Sequence, residues 1–132
     1  MGTFVELDDH CFCCGKDNQH GLRLRVEYPE RGVAETSFVI PERFSGWREV
    51  THGGLLSMLL DELMAHACIS ADVQAVTAEM TVRFLKPVAT GTAVRIVGKV
   101  VEERSRLLNT QGWIYDPAGV TIAEGKARFV RV

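Results

Sequence analysis

One segment of the chain, residues 52–70, has a hydrophobic period that differs from everything around it. Its apolar side chains recur at the spacing of a helix, and they are Leu55, Leu56, Leu59, Leu60, Leu63, Met64 and Ala67. A helix this apolar must be shielded from water over most of its surface. The rest of the chain therefore has to cover it, and this requirement constrains the fold more than any other feature.

The flanking segments alternate apolar and polar residues, which is typical of strands with one buried face. Two such segments precede the helix, at residues 22–28 and 33–40, with turn residues at 29–32 between them. Four more follow it, at 76–85, 93–103, 107–115 and 120–132. The pattern predicts a single α+β domain over residues 1–132, in which an antiparallel sheet of about six strands wraps around one long central helix.

Composition excludes several classes of function. The 132 residues are 46% hydrophobic, enough for one core, and the net charge of −2 provides no basic surplus for nucleic acid or an anionic membrane. We expect no signal peptide, and the sequence contains no apolar run long enough for a membrane span. We expect a cytoplasmic protein with no nucleic-acid or membrane partner, in which a local basic cluster holds any anionic ligand.

Asp61 projects about 150° away from the leucine stripe of the helix. The residues on that side carry no Lys or Arg to pair with the carboxylate, and they are Ser57, Met58, Ala65 and Cys68. A second buried surface against another subunit explains this composition, and it would leave Asp61 partly desolvated near an interface. The alternative is that Asp61 is an ordinary exposed acid on a helix.

The start of the helix carries a second candidate feature, His52-Gly53-Gly54. Glycines at a helix start let a ligand approach the free backbone N–H groups, and such groups stabilise negative charge that develops on an oxygen atom. His52 by itself could equally be a capping or loop residue. With Asp61 nine residues after His52, the segment combines an oxyanion-binding element with a carboxylate.

The stretch from His52 to Asp61 resembles the loop-to-helix signature of hotdog-fold acyl-CoA thioesterases, in particular the phenylacetic-acid-degradation and 4-hydroxybenzoyl-CoA thioesterase group. Residues 76–87 are similar to the strand that follows the helix in that family. Residues 11–15, with Gly21 and Leu22, are similar to an N-terminal segment of many members. The resemblance covers nearly the whole chain and implies the hotdog fold.

The resemblance also implies a homodimer, often a dimer of dimers, with active sites between subunits. The implied reaction is hydrolysis of an acyl-CoA, with no cofactor beyond the coenzyme A of the substrate. By the same resemblance the N–H of Gly53 or Gly54 polarises the thioester carbonyl, and Asp61 acts as nucleophile or general base. His52 would order the loop, and Thr77 would help to place the water.

Gly46 departs from the pattern, because some relatives carry Asn or Gln six residues before the histidine. This leaves open which group contacts the carbonyl or the water. Phe44 and Trp47 beside it either form the wall of an acyl pocket or pack within the loop. The candidate phosphate-binding residues for coenzyme A are Arg83, Lys86, Arg104 and Arg106, although each could simply be solvated.

Cys11 and Cys14, followed by a glycine, resemble half of a zinc knuckle, and His10, Cys13 and His20 could complete four ligands. There is no second Cys-x-x-Cys, so we expect reduced thiols and no metal.

Two alternatives to a thioesterase remain at this stage. A binding or sensing protein would keep the coenzyme A pocket without turnover, and Gly46 leaves this open. A dehydratase of the same fold would need a paired histidine and carboxylate, and here His52 and Asp61 supply these types at thioesterase spacing.

Overall fold

The computed structural model describes residues 9–132 and contains one α-helix, α1 (Gly53–Ser70). The strands are β1 (Glu27–Glu30), β2 (Val33–Val39), β3 (Ala75–Phe84), β4 (Ala93–Glu103), β5 (Leu107–Tyr115) and β6 (Thr121–Arg131). They form one antiparallel sheet in the order β1-β2-β4-β5-β6-β3. The predicted hotdog architecture is confirmed, with a six-stranded sheet packed against a single long helix.

The apolar stripe of α1 forms the centre of the core. The side chains of Leu59, Leu60, Leu63, Met64 and Ala67 have no exposed surface. They pack in one cluster with buried residues of the sheet, among them Ile96, Leu108, Ile114, Ile122 and Phe129. The stripe read from the sequence is therefore the face that the sheet covers. Within residues 9–132 no helix has the length and apolar character needed to cross a membrane.

Three glycines form a row across the sheet beneath α1, with Gly98 paired to Gly112 and Gly112 to Gly125. A Cβ atom on Gly98 would lie only 2.2 Å from the backbone oxygen of Leu63. The helix backbone thus rests directly on the backbone of β4. Because only glycine permits this approach, the row sets how closely the sheet wraps the helix.

The first strand differs from the prediction: β1 spans Glu27–Glu30 rather than residues 22–28. The alternation before it does mark burial, since Leu24 is buried, but those residues pair elsewhere. Leu22 N–H donates to the carbonyl of Phe12 at 2.7 Å, and Leu24 N–H donates to that of Cys13 at 2.9 Å. Arg23, between them, adopts a left-handed φ of 53°. Leu22 and Leu24 therefore form their backbone hydrogen bonds with the N-terminal segment and not with a strand of the sheet.

On the opposite side of α1, Ser57, Met58 and Ala65 are half-buried within this single chain, and a second buried surface against another subunit stays a prediction. Cys68, which the sequence placed on the same side, is already buried by its own chain, with 1% of its surface exposed. Its burial within this single chain raises the pKa of the thiol to about 12, and the nearby Glu103 carboxylate adds to the rise while Arg131 opposes it. Its own chain therefore covers this side of the helix at Cys68, whereas Ser57, Met58 and Ala65 are only half-buried.

Candidate active site

Asp61 lies in the middle of α1, and Thr77 lies near the start of β3. The Thr77 hydroxyl donates a hydrogen bond of 2.6 Å to Oδ1 of Asp61. The sequence predicted both residues for one site, and the structure brings them into direct contact. A carboxylate held through one oxygen keeps the other available to a ligand or a water molecule.

An irregularity in β3 explains why Thr77 can reach the helix. The pairing with β6 shifts by one residue between Thr77 and Glu79, which leaves Ala78 as a bulge. Before the bulge Ala75 packs on the core, and after it Met80 does so in the opposite parity. The bulge thus places the Thr77 hydroxyl on the helix side while the remainder of the strand keeps its apolar face inward.

His52 is the N-cap of α1, and its Nδ1 accepts a hydrogen bond of 2.7 Å from the Gly54 N–H. The Gly54 amide is therefore already used within the chain. Among residues 9–132, no backbone or side-chain group accepts from the Gly53 N–H, which lies at the start of the helix dipole. The geometry leaves Gly53 as the glycine whose amide can serve a ligand.

The packing of the loop before the helix explains why position 46 is a glycine. Its N–H donates to the carbonyl of Val50 at 2.8 Å, and the His52 N–H donates to the carbonyl of Phe44 at 2.8 Å. A Cβ atom on Gly46 would lie 3.2 Å from Cα of His52. The loop folds so tightly onto the N-cap histidine that a larger side chain would have to displace it.

A cavity of about 370 Å³ opens beside the start of α1. Phe44 lines it, as predicted, together with His52, Gly54 and Met58. Trp47 does not line it, and its side chain is 83% exposed. The sequence did not reveal four further lining residues, Phe12, His20, Leu22 and Arg43. The first three belong to the N-terminal segment, which is distant from the helix in the chain. The guanidinium group of Arg43 lies 4.7 Å from the centre of the Phe44 ring.

The predicted basic residues do not form one cluster. Arg83 pairs with Glu124 at 3.1 Å, and Lys86 pairs with Asp116 at 3.3 Å. Arg83 precedes and Lys86 follows Phe84, whose ring lies against Gly53 at the helix start.

Arg104 and Arg106 lie in the turn between β4 and β5, beyond the opposite end of the helix. There Glu103 pairs with Arg31, and Arg31 donates to the carbonyl of Ala71 just past α1. Arg104 pairs with Glu102 at 2.8 Å, whereas Arg106 forms no ion pair with any residue in the described range. An 18-residue helix is about 27 Å long, so the two basic pairs lie far apart within one chain.

A polar network that the sequence did not reveal lies one residue beyond Asp61. Oε1 of Glu62 lies 3.1 Å from Nε2 of His66, and Nδ1 of that ring lies 2.8 Å from the Tyr28 hydroxyl. The thiols of Cys13 and Cys14 lie close enough to this carboxylate to interact with it electrostatically. The spacing of Glu62 and His66, one helical turn apart, was the one available signal.

The charges in this network follow from its contacts. Burial acts to raise the pKa of Glu62, but hydrogen bonds from His66 and Cys14 outweigh it, and the pKa lies below its ordinary value. Burial, together with the negative charge of Glu62, raises the pKa values of the Cys13 and Cys14 thiols. The cluster therefore holds an ionised carboxylate beside protonated thiols.

A sequence model of the thioesterase superfamily matches residues 49–123, more than half of the chain and the part that contains α1, Asp61 and Thr77. The chain belongs to the thioesterase superfamily. A comparison with curated proteins finds no match. The loop-to-helix segment from His52 to Asp61, on which the resemblance was based, lies within the matched range.

Solved structures of similar fold include the PaaI protein of the phenylacetic acid degradation operon of E. coli, at 22% identity and a TM-score of 0.79 over 84% of this chain and 80% of that one. A Streptococcus mutans UA159 protein bound to acetyl-CoA is 17% identical, with a TM-score of 0.79 over 83% and 88% of the chains.

A hypothetical thioesterase of Streptococcus pneumoniae TIGR4 with coenzyme A is also 17% identical, with a TM-score of 0.79 over 83% and 85% of the chains. That protein was solved in two further forms, one with an aspartate and one with a threonine replaced by alanine. At these identities the likeness establishes the shared fold.

Proposed function

We propose that this thioesterase-superfamily protein hydrolyses a small acyl- or aroyl-CoA to the free acid and coenzyme A. The observation that carries the proposal is the bond between Thr77 and Asp61, formed on a helix whose start presents an unused glycine N–H. The coenzyme A and acetyl-CoA bound to two proteins of the same fold support the choice of substrate. The aspartate and threonine replaced in the pneumococcal protein are sixteen residues apart, which is also the separation of Asp61 and Thr77.

In the proposed reaction the thioester oxygen accepts a hydrogen bond from the Gly53 N–H. Gly53 and Asp61 lie eight residues apart on one helix, a distance of about 12 Å, so in the proposed dimer one copy supplies the N–H and its partner supplies Asp61. The free oxygen of that Asp61 takes a proton from a water molecule as the water attacks the carbonyl carbon. The oxyanion that forms is stabilised at the positive end of the helix. It then collapses, the carbon–sulfur bond breaks, and the coenzyme A thiolate leaves and is protonated.

A nucleophilic role for Asp61 is the alternative within the same site, since its free oxygen could attack the carbon directly. A single turnover in water labelled with oxygen-18 distinguishes the two mechanisms. A general base sends the label straight into the product acid. A nucleophile forms a mixed anhydride, whose hydrolysis at the Asp61 carbon leaves the label in the enzyme.

The proposal includes a homodimer, and a dimer of dimers is compatible with it. β3 is an edge strand of ten residues, and it exposes apolar side chains such as Val76 (41%) and Phe84 (55%). Asp61 and Thr77 lie along this edge, where a second copy would cover them and exclude water. Light scattering at micromolar concentration is expected to give at least twice the chain mass of 14.6 kDa.

The decisive experiment is incubation of the purified protein with a panel of acyl- and aroyl-CoAs and a thiol-reactive chromophore. Catalytic release of the coenzyme A thiol supports a thioesterase. Saturable binding without release would instead identify an acyl-CoA binding or sensing protein. The Gly54 N–H donates to Nδ1 of His52, and this engages the histidine that a dehydratase would need for catalysis, so the hydrolase is the function we propose.

A further inference from the structure

The segment Cys11 to Gly15 forms a tight turn with a constrained backbone. The Gly15 N–H donates to the carbonyl of Cys11 at 2.8 Å. A Cβ atom on Gly15 would lie 2.4 Å from both the Asp9 carbonyl oxygen and the Cys11 nitrogen, so only glycine fits there. The turn is anchored because its central residues, Phe12 and Cys13, accept backbone hydrogen bonds from Leu22 and Leu24.

This turn faces the helix at Glu62. The Sγ atoms of Cys11 and Cys14 and a carboxylate oxygen of Glu62 lie within 4.8 Å of one another. All three residues are half-buried, so their donor atoms are shielded yet reachable from solvent. Two sulfur donors and one oxygen donor at this spacing suit a tetrahedral Zn²⁺ ion.

We propose that Cys11, Cys14 and Glu62 bind one Zn²⁺ ion, with a water molecule in the fourth position. Binding deprotonates the two thiols and releases two protons to solvent. Two thiolates and one carboxylate then face the charge of the metal. The fourth ligand comes from solvent because Cys13, although adjacent in the chain, is not among the residues whose donor atoms lie within 4.8 Å of one another.

The residues behind Glu62 support this assignment. His66 contacts Oε1 of Glu62, and the Tyr28 hydroxyl holds the other nitrogen of the same ring. Such an arrangement orients a ligand carboxylate and restricts its motion.

The metal would also fix one wall of the cavity beside the proposed active site. Phe12 lies between the two cysteine ligands in the chain and lines the cavity together with His52 and Gly54. Zinc would therefore fasten the N-terminal segment to α1 one residue beyond Asp61. The ligand set differs from the sequence-based candidates His10, Cys13 and His20, because the third ligand comes from a helix distant in the chain.

Metal content and cobalt spectroscopy test the site independently of any thioesterase activity. Protein purified under anaerobic conditions with added Zn²⁺ is expected to hold about one ion per chain after gel filtration. Replacing the metal with Co²⁺ is expected to produce thiolate-to-metal charge-transfer absorption. The double variant Cys11→Ser, Cys14→Ser and the variant Glu62→Gln should lose stoichiometric binding, and His66→Gln should weaken it about tenfold.

Cys68→Ala is the matched control, because it removes a buried thiol outside the cluster and should keep the metal. Far-ultraviolet circular dichroism establishes that each variant is folded, and the wild-type cobalt spectrum does not depend on any variant. The proposal is overturned if the wild-type protein holds no metal and shows no charge-transfer band. It is also overturned if the double cysteine variant binds Zn²⁺ as the wild type does, or if anaerobic protein contains a Cys11–Cys14 disulfide instead.

Discussion

The hydroxyl of Thr77 lies 2.6 Å from Oδ1 of Asp61 and donates a hydrogen bond to it. This contact joins the middle of the helix to the edge strand of the sheet, across sixteen residues of sequence. One carboxylate oxygen is therefore oriented while the other stays available. The arrangement allows the acid and the hydroxyl to be tested separately.

Asp61→Asn preserves the size of the side chain and removes its charge and basicity. We expect kcat on the best CoA ester to fall about 100-fold or more, with KM largely retained, because a general base or nucleophile is lost. Steady-state kinetics measures this. Asp72→Asn is the control, since it makes the same chemical change at an exposed residue beyond the helix. Wild-type rates for Asp61→Asn, with loss of activity in Glu62→Gln, would move the role to Glu62.

Thr77→Val keeps the shape of the side chain and deletes the hydroxyl. We expect kcat to fall about tenfold, because a hydrogen bond to a charged group is lost, and Thr77→Ser should restore most of the rate. Thr81→Val on the same strand is the control. If Thr77→Val is folded and hydrolyses at the wild-type rate, the hydroxyl has no part in positioning Asp61 or water.

Arg104 and Arg106 are expected to recognise the nucleotide end of coenzyme A. Replacing both with Ala should raise KM for CoA esters about tenfold while kcat changes less, because these contacts are similar in the ground and transition states. A truncated pantetheine ester should be insensitive to the change.

The comparison variant for that experiment is Arg83→Ala with Lys86→Ala, because these residues lie at the opposite end of the helix. A KM effect confined to the comparison variant would transfer the phosphate site to that end. Equal KM values for CoA and pantetheine esters in the wild type would argue against either pair.

Gly98→Ala tests how closely the helix lies on the sheet. The new methyl group would meet backbone atoms of Leu63, which cannot rotate away, so we expect a loss of about 3 kcal/mol in the free energy of unfolding. Gly112→Ala is the control, with a smaller loss, because its nearest neighbours are flexible side chains of Leu60 and Met64. Urea denaturation measures both, and equal losses would contradict the backbone contact.

Asp116 gives a pH dependence with a defined sign. Its carboxylate accepts backbone hydrogen bonds from Val120 and Ala118 and pairs with Lys86. The Val120 bond, with the other two contacts, holds the pKa below its ordinary value of 3.8 despite some desolvation. The unfolded chain therefore takes up this proton first, and the stabilisation is present above pH 3.8 and lost as the pH falls through the folded pKa.

Asp116→Asn removes this titration and keeps an oxygen acceptor for the backbone. The difference in unfolding free energy between wild type and variant should be largest near neutral pH and should shrink as the pH falls below 3.8. Urea denaturation at several pH values measures it, and other carboxylates cancel because both proteins share them. A difference that stays constant down to low pH would mean that the native contacts do not lower this pKa.

Local patterns in the sequence determined much of the fold. The leucine stripe predicted both the helix and its buried face, and alternation located β2 to β6 closely, because each period follows from backbone geometry. The helical period also placed Asp61 on the side of the helix away from the core. The family resemblance then assigned Thr77 to the same site. The prediction failed for β1, where alternation marked burial correctly but carried no information about which segment would be the partner.

Only the tertiary structure decided how distant segments combine. It separated the two basic pairs and seated the Cys11 turn against Glu62. Neither follows from periodicity, because the residues involved lie far apart in the chain and no repeat relates them. Both depend on how the sheet curves around the helix, and that curvature is set by close packing such as the contact of Gly98 with Leu63.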